Sequence, residues 1–340
     1  MISITGGANN TNGCPVPATW FVTVQNSNCT AAFEAFTRGH ELATHTVTHP
    51  ALVPGYPRLA EEVLGARDYL EKFCRIPAAE VAGFRAPFLI SNPEQRAFLA
   101  QQGFKWDSSL SFPSMGRGGS GERVWPFSLD YGAASPDCAP EWQAQCGPEE
   151  RLPGFFEVPL AELEFNGGGY TMDPGKPSQG NTGLEAPVFD VLKANLELAY
   201  RGNRAPMPVF VHEPWFNATA NAGAKAFIEY ALTVPDVFFV TIGQLVEWMK
   251  APVPAAETAL WLRQRCVSGS MAVALPPPPA PVAALAPAPA VVEPVVAPVV
   301  VTPALPEVVA PVVAPPVLVS GAGRAAAGAA VALALALAAL

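Results

Sequence analysis

An α/β fold with mainly parallel strands is predicted by three features of the sequence. Short apolar runs alternate with amphipathic stretches over residues 1–250. The runs ATWFVTV (18–24), PVFVHE (208–213) and VFFVTI (237–242) are almost continuously apolar, as strands buried on both faces must be. Between such runs lie stretches of helical period, the clearest at residues 58–73, with Leu59, Val63, Leu64, Ala66, Tyr69, Leu70 and Phe73 on one face. The chain has 340 residues, 50% of them hydrophobic, which suffices for a large buried core.

In chain order, residues 2–5 read as a core strand and 18–24 as a second. Residues 31–38 read as a helix ended by Gly39. After the helix at 58–73, VAGFRAPF (81–88) is a strand running into a loop. Asn92 before Pro93 is an N-cap with proline at the first helical position, which opens a helix to about residue 102 that Gly103 ends. Residues 155–160 and 208–213 are strands, 191–200 and 222–232 helices, 237–242 a strand and 243–250 a last helix. Residues 251–275 form an exit segment.

The net charge is −9 and no run of Lys or Arg occurs, which argues against a nucleic-acid surface. The six cysteines, Cys14, Cys29, Cys74, Cys138, Cys146 and Cys266, are even in number and contain no C-x-x-C. Three N-x-[ST] sequons start at Asn9, Asn28 and Asn217. Together they predict disulfides and glycosylation in an extracellular setting. Cys138 and Cys146 are close enough in sequence for a local disulfide, and Cys266 is placed to staple the domain's exit to its body. MISITGGANN has neither the basic nor the apolar part of a signal peptide.

Beyond residue 275 the composition changes. Residues 276–316 hold 14 prolines among Ala and Val, with Glu293 and Glu307 the sole charges. Proline blocks helix and sheet ladders, so a polyproline-type stalk is predicted over 276–318, in which the 41 residues of 276–316 alone would span about 120 Å. The small residues Ser320-Gly321-Ala322 and the uncharged end AAAGAAVALALALAAL suggest a GPI-attachment signal over 319–340, or a short membrane span.

Three of the four histidines fall within GHELATHTVTHP (39–50). His40 and His45 are five apart, which does not fit the H-E-x-x-H zinc motif. His45 and His49 stand at i, i+4, where two imidazoles share a helical face and reach adjacent corners of a metal. His40 ends a helix and turn.

The segments GHELATHTVTHP, GFRAPF, GFKWDSSL, WPFSLDYG, EVPLAEL and PVFVHEPWF, in this order, resemble the polysaccharide deacetylase family (carbohydrate esterase family 4, the NodB-homology domain). The chitin-deacetylase-like branch is the nearest likeness. The resemblance covers roughly residues 2–250. It implies a distorted, incomplete (β/α) barrel with its site at the C-terminal ends of the strands. It implies a divalent metal, in most members zinc, held by His45 and His49 with an aspartate. It further implies His212 as general acid, Arg85 as the partner that orients the base, the backbone N–H of Phe88 as an oxyanion donor, and Trp125 as a wall for the acetyl methyl. The expected reaction is hydrolysis of the acetamide of an N-acetylated polysaccharide such as chitin, at the cell surface or wall, with the tail as membrane tether.

One departure stands out. The family's first strand ends in T-F-D-D, which supplies base and carboxylate ligand. Here Ile2-Ser3-Ile4-Thr5 runs into Gly6-Gly7-Ala8-Asn9-Asn10, and the first acidic residue is Glu34. Glycine offers neither ligand nor proton acceptor, and the carbonyl of Asn9 or Asn10 is a poor substitute for a carboxylate. Either catalysis is lost on a retained carbohydrate-binding fold, or the chain as written starts short of its native first strand. The second account explains both the missing leader and the missing aspartates.

Overall fold

The computed structural model describes residues 5, 7–112, 123–133, 146–147, 149–176, 185–266 and 332–339. The expected strand at 2–5 falls almost wholly outside them, as do the proline-rich stretch, the small-residue site and Cys138. The described elements gather into one compact unit, formed by residues 1–271 together with 328–340.

Five strands form a parallel run: β1 (Thr19–Val22), β2 (Glu41–Thr44), β3 (Gly83–Phe84), β4 (Trp106–Asp107) and, after β5 (Ser111–Phe112) and β6 (Phe127–Leu129), β7 (Leu152–Glu157). Pairings β1–β2, β2–β3, β3–β4 and β4–β7 are parallel, while β6 closes one edge antiparallel to β7. Three helices separate the first strands: α1 (Cys29–Thr37), α2 (Leu59–Lys72) and α3 (Pro93–Gln101). β8 (Leu160–Ala161) pairs with β5, and β9 (Leu163–Phe165) forms a hairpin with β10 (Gly168–Tyr170). Then follow α4 (Val188–Arg201), β11 (Met207–His212), α5 (Ala218–Ala231), β12 (Val237–Val240), α6 (Ile242–Lys250) and α7 (Ala255–Arg263). The last described element is β13 (Ala332–Ala339). The sheet runs β11-β13-β1-β2-β3-β4-β7-β6 with β12 also on β13, so its ends do not meet: it is an incomplete (β/α) barrel.

Local chemistry accounts for most boundaries. Asn28, Asn92 and Asn217 cap α1, α3 and α5 by accepting from the backbone N–H three residues on. Thr241 and Gln244 form a reciprocal capping box on α6. ATWFVTV contributes Thr19–Val22 only, whereas the run at 208–213 is matched almost residue for residue by Met207–His212. The exit segment holds a helix, α7, and Cys266 beyond it is disulfide-bonded to Cys14, so the staple at the domain's exit is present. Cys29 bonds Cys74, tying the start of α1 to the end of α2. Cys146 is also disulfide-bonded.

The sheet is mainly parallel, as expected, with β6 and β13 running against their neighbours. Within the apolar tail, expected as a membrane tether, Ala332–Ala339 forms a strand that lies in the sheet. An alternating Leu-Ala segment has the two-residue period of a strand, which composition alone cannot separate from a hydrophobic anchor. No helix among the described residues is long and apolar enough to cross a membrane.

Candidate active site

The histidine pair sits on a loop, not on a helix. β2 ends at Thr44, and the chain turns through Thr46 (φ 70°) and His49 (φ 60°), both left-handed. The expected shared helical face is therefore wrong, yet the turn achieves the same convergence: His45 Nε2 and His49 Nε2 are 3.1 Å apart. The backbone N–H of His45 donates to Val22 O at 2.9 Å, the next rung after the β1–β2 ladder. His45 Nδ1 lies 2.8 Å from the Arg85 carbonyl. A carbonyl only accepts, so Nδ1 carries the proton and Nε2 keeps its lone pair. Burial, then the charge of His49, holds the His45 imidazole down at about 3.

The loop is held from outside by a residue the sequence did not advertise. Glu62, on α2 and fully buried, accepts from Val47 N–H at 2.9 Å, Thr48 N–H at 2.8 Å and the Thr48 hydroxyl at 2.7 Å. In the sequence Glu62 looks like an ordinary first-turn acid of an amphipathic helix. Its inward aim follows from the packing of α2 over β2.

Beyond β3, Arg85 lies between the rings of Phe21 and Phe210, its guanidinium carbon 3.9 and 4.4 Å from their centres. Nε donates to Ser108 O and Nη2 to Ser108 Oγ, both at 2.7 Å, while buried Nη1 has no hydrogen-bond partner. Burial lowers the guanidinium to about 9, against the pull of Asp107 and Glu157. Those two acids are register partners on β4 and β7, both fully buried. Burial raises both carboxyls, and the Asp107 charge pushes Glu157 further up. Phe88, two residues after Ala86, has φ 56° and is 57% exposed, its ring edge-on to His49 at 4.7 Å. An aromatic residue in that region carries roughly 1 kcal/mol of backbone strain or more, which the packed loop must sustain.

His212 ends β11. Its N–H donates to Asp173 Oδ1 at 2.7 Å and its Nδ1 lies 2.9 Å from Asp173 Oδ2. Asp173 is itself left-handed (φ 55°), and its N–H donates to Phe210 O. The charge of His212 bears on both His45 and His49, so the three imidazoles share one electrostatic environment. Asp173 escaped the sequence reading because it lies 39 residues from His212 in an irregular stretch with no periodic signal. Trp125 stacks on Trp248 of α6, with ring centres 6.3 Å apart. Asn10 is committed elsewhere: its side chain exchanges two hydrogen bonds with the backbone of Phe239. His40 is buried edge-on to Trp20, and burial lowers it to about 4.

A divalent metal fits this donor set only in part. Two imidazole nitrogens converge, but among the described residues no group of three His, Cys, Asp or Glu side chains does.

Residues 13–106 match the polysaccharide deacetylase family. Two relatives from Bombyx mori are named chitin deacetylases. Chitin deacetylase 8 is 28% identical over 257 residues, covering 73% of this chain and 65% of its own length. Chitin deacetylase 1 is 28% identical over 296 residues, covering 80% and 52%. The chain thus spans between half and two thirds of each relative. Among solved structures, a polysaccharide deacetylase from Mycobacterium smegmatis overlaps with a TM-score of 0.46 at 21% identity, over 69% of this chain and 72% of that one. PuuE allantoinase overlaps with 0.45 at 15%, over 70% and 68%. By its family match this chain is thus similar to polysaccharide deacetylases, and by its two silkworm relatives to chitin deacetylases.

Proposed function

We propose that this chain hydrolyses the acetamide of an N-acetylated polysaccharide such as chitin. The observation that carries the reading is the approach of His45 Nε2 to His49 Nε2, in a loop that also meets Phe88 and faces the charge of His212. His45 and His49 would hold a divalent metal, a role for which zinc is suited among the metals that imidazole binds. Such an ion supplies Lewis-acid polarisation of the acetyl oxygen. In the hydrolysis, the oxygen of water bonds to the acetyl carbon, the C–N bond breaks, and the departing amine takes a proton. His212 is suited to deliver it: Asp173 holds its Nδ1, so Nε2 points away from that partner. The Phe88 backbone N–H would stabilise the oxyanion. Trp125, which stacks on Trp248, would form the wall around the acetyl methyl. Disulfides at Cys14–Cys266 and Cys29–Cys74 suit an extracellular setting.

A second reading rests on Arg85. Its Nη1 is buried without a hydrogen-bond partner, and the carboxyls of Asp107 and Glu157 act on its charge without a hydrogen bond to that atom. A site without a base and a carboxylate ligand serves a catalytically impaired protein that still binds carbohydrate. The test measures acetate release from chitin oligomers, with zinc supplied, and oligomer binding by the same preparation. Release that is lost in His212→Ala supports the hydrolase. Binding without release supports the second reading, and neither binding nor release removes both.

A further inference from the structure

β13 stands in an uncommon position. Among the described residues, β11 and β12 join the sheet through β13 alone. Ala332 and Ala334 pair with Phe21 and Thr19 of β1, and with His212 and Phe210 of β11. Ala336 and Leu337 pair with Pro208 and Met207 of β11, and with Val240 and Phe239 of β12. A strand has only two edges. β11 therefore takes one edge of β13, while β12 and β1 follow each other along the opposite edge.

This arrangement makes the C-terminal strand a bridge. On one side stands β1, whose last carbonyl receives the His45 N–H. On the other stands β11, which ends in His212. Without β13, the inner edges of β1, β11 and β12 would present unpaired backbone groups on strands whose side chains are almost all buried. Unpaired buried backbone groups are destabilising, and an open apolar edge recruits foreign strands.

The donor segment has the chemistry for the slot. ALALALAA is uncharged, free of proline and of two-residue period, whereas the preceding 276–316 stretch is proline-rich and cannot enter a ladder. From Cys266 to Ala332 the chain has 65 intervening residues, long enough to return to the sheet without strain. Tethering makes the pairing intramolecular, so it does not depend on protein concentration as pairing with a second copy would.

We propose that the groove between β1 and the β11 edge is a strand-acceptor site, and that its occupant is this chain's own segment Ala332–Ala339. The tail is an internal strand that joins the His212 side of the sheet to the His45 side. This goes beyond the deacetylase reading and stands whether or not the chain hydrolyses anything.

The experiment uses the full chain with a protease recognition sequence inserted between Ala310 and Pro311. After cleavage under native conditions, the C-terminal fragment is expected to co-elute with the body at the mass of one copy. The amides of 333–338 should exchange about 100-fold or more slower than in the unfolded chain. In a separate variant, Leu335→Pro, exchange should rise in β11 and β12 while β2, β3 and β4 stay protected. Release of the fragment, or free exchange at 333–338, overturns the proposal. Co-elution at twice the mass overturns the choice of occupant, since the strand then comes from a second copy. Partition of the fragment into detergent micelles restores the membrane-tether expectation and also overturns it.

Discussion

Asp173 grips His212 twice, through the backbone N–H at 2.7 Å and through Nδ1 at 2.9 Å, across a separation of 39 residues. The double contact fixes both where the imidazole lies and which nitrogen is left to act. In Asp173→Asn the side chain keeps its size but loses the anion. If His212 is the acid, acetate release should fall by about 100-fold with little change in substrate KM. A variant within twofold of the parent would remove Asp173 from any positioning role.

Zinc is expected to bind at a stoichiometry of one in the full chain. His45→Ala or His49→Ala should weaken that binding by at least about 100-fold, because each removes one of two converging nitrogens. Elemental analysis of purified protein after dialysis against zinc reads this directly. Equal zinc content in parent and both variants would place the metal elsewhere.

Glu62 should matter for the same site without touching it. Glu62→Ala removes the acceptor of three hydrogen bonds that hold residues 47 and 48. Zinc affinity is expected to fall by roughly 10- to 100-fold, as for other partners that orient ligand loops. Glu62→Gln keeps one acceptor oxygen and should recover part of the loss. Unchanged affinity in Glu62→Ala would show that the loop is held by the left-handed turn alone.

Glu41 gives the fold a pH dependence. Burial raises its carboxyl from 4.5 to about 7, against the hydroxyl of Thr19 and the N–H of Gly243 that favour the anion. A raised acid binds its proton more tightly in the folded state than in the unfolded one. Its contribution is thus fully present below pH 4.5 and is lost as the pH rises through about 7. Unfolding free energy should decline by about 1–3 kcal/mol over that window, and Glu41→Gln should flatten the decline. Denaturant titrations at several pH values report the slope, and an equal slope in the variant would clear Glu41.

Gly83 and Trp106 are register partners on β3 and β4, and the indole lies over the glycine. A Cβ at residue 83 would stand 1.8 Å from Trp106 Cζ2. Gly83→Ala is therefore expected to cost about 2–3 kcal/mol and to shift Trp106 fluorescence. Parental stability in that variant would mean the strands can separate without penalty.

The sequence alone determined the parts whose signals are local. Continuous apolar runs located β1, β11 and β12, helical periodicity located α2, and the Asn92 cap located the start of α3. The i, i+4 spacing picked out His45 and His49, whose imidazoles do approach each other, but two left-handed residues rather than a helix bring them together. Only tertiary structure decided what depends on distant segments meeting: Asp173 on His212, Glu62 on the histidine loop, Arg85 between the rings of Phe21 and Phe210, and the tail as a strand. The physical reason is common to all four. A carboxylate, a guanidinium or an Ala-Leu repeat carries the same local preferences wherever it stands, and burial and pairing across the fold choose its partner.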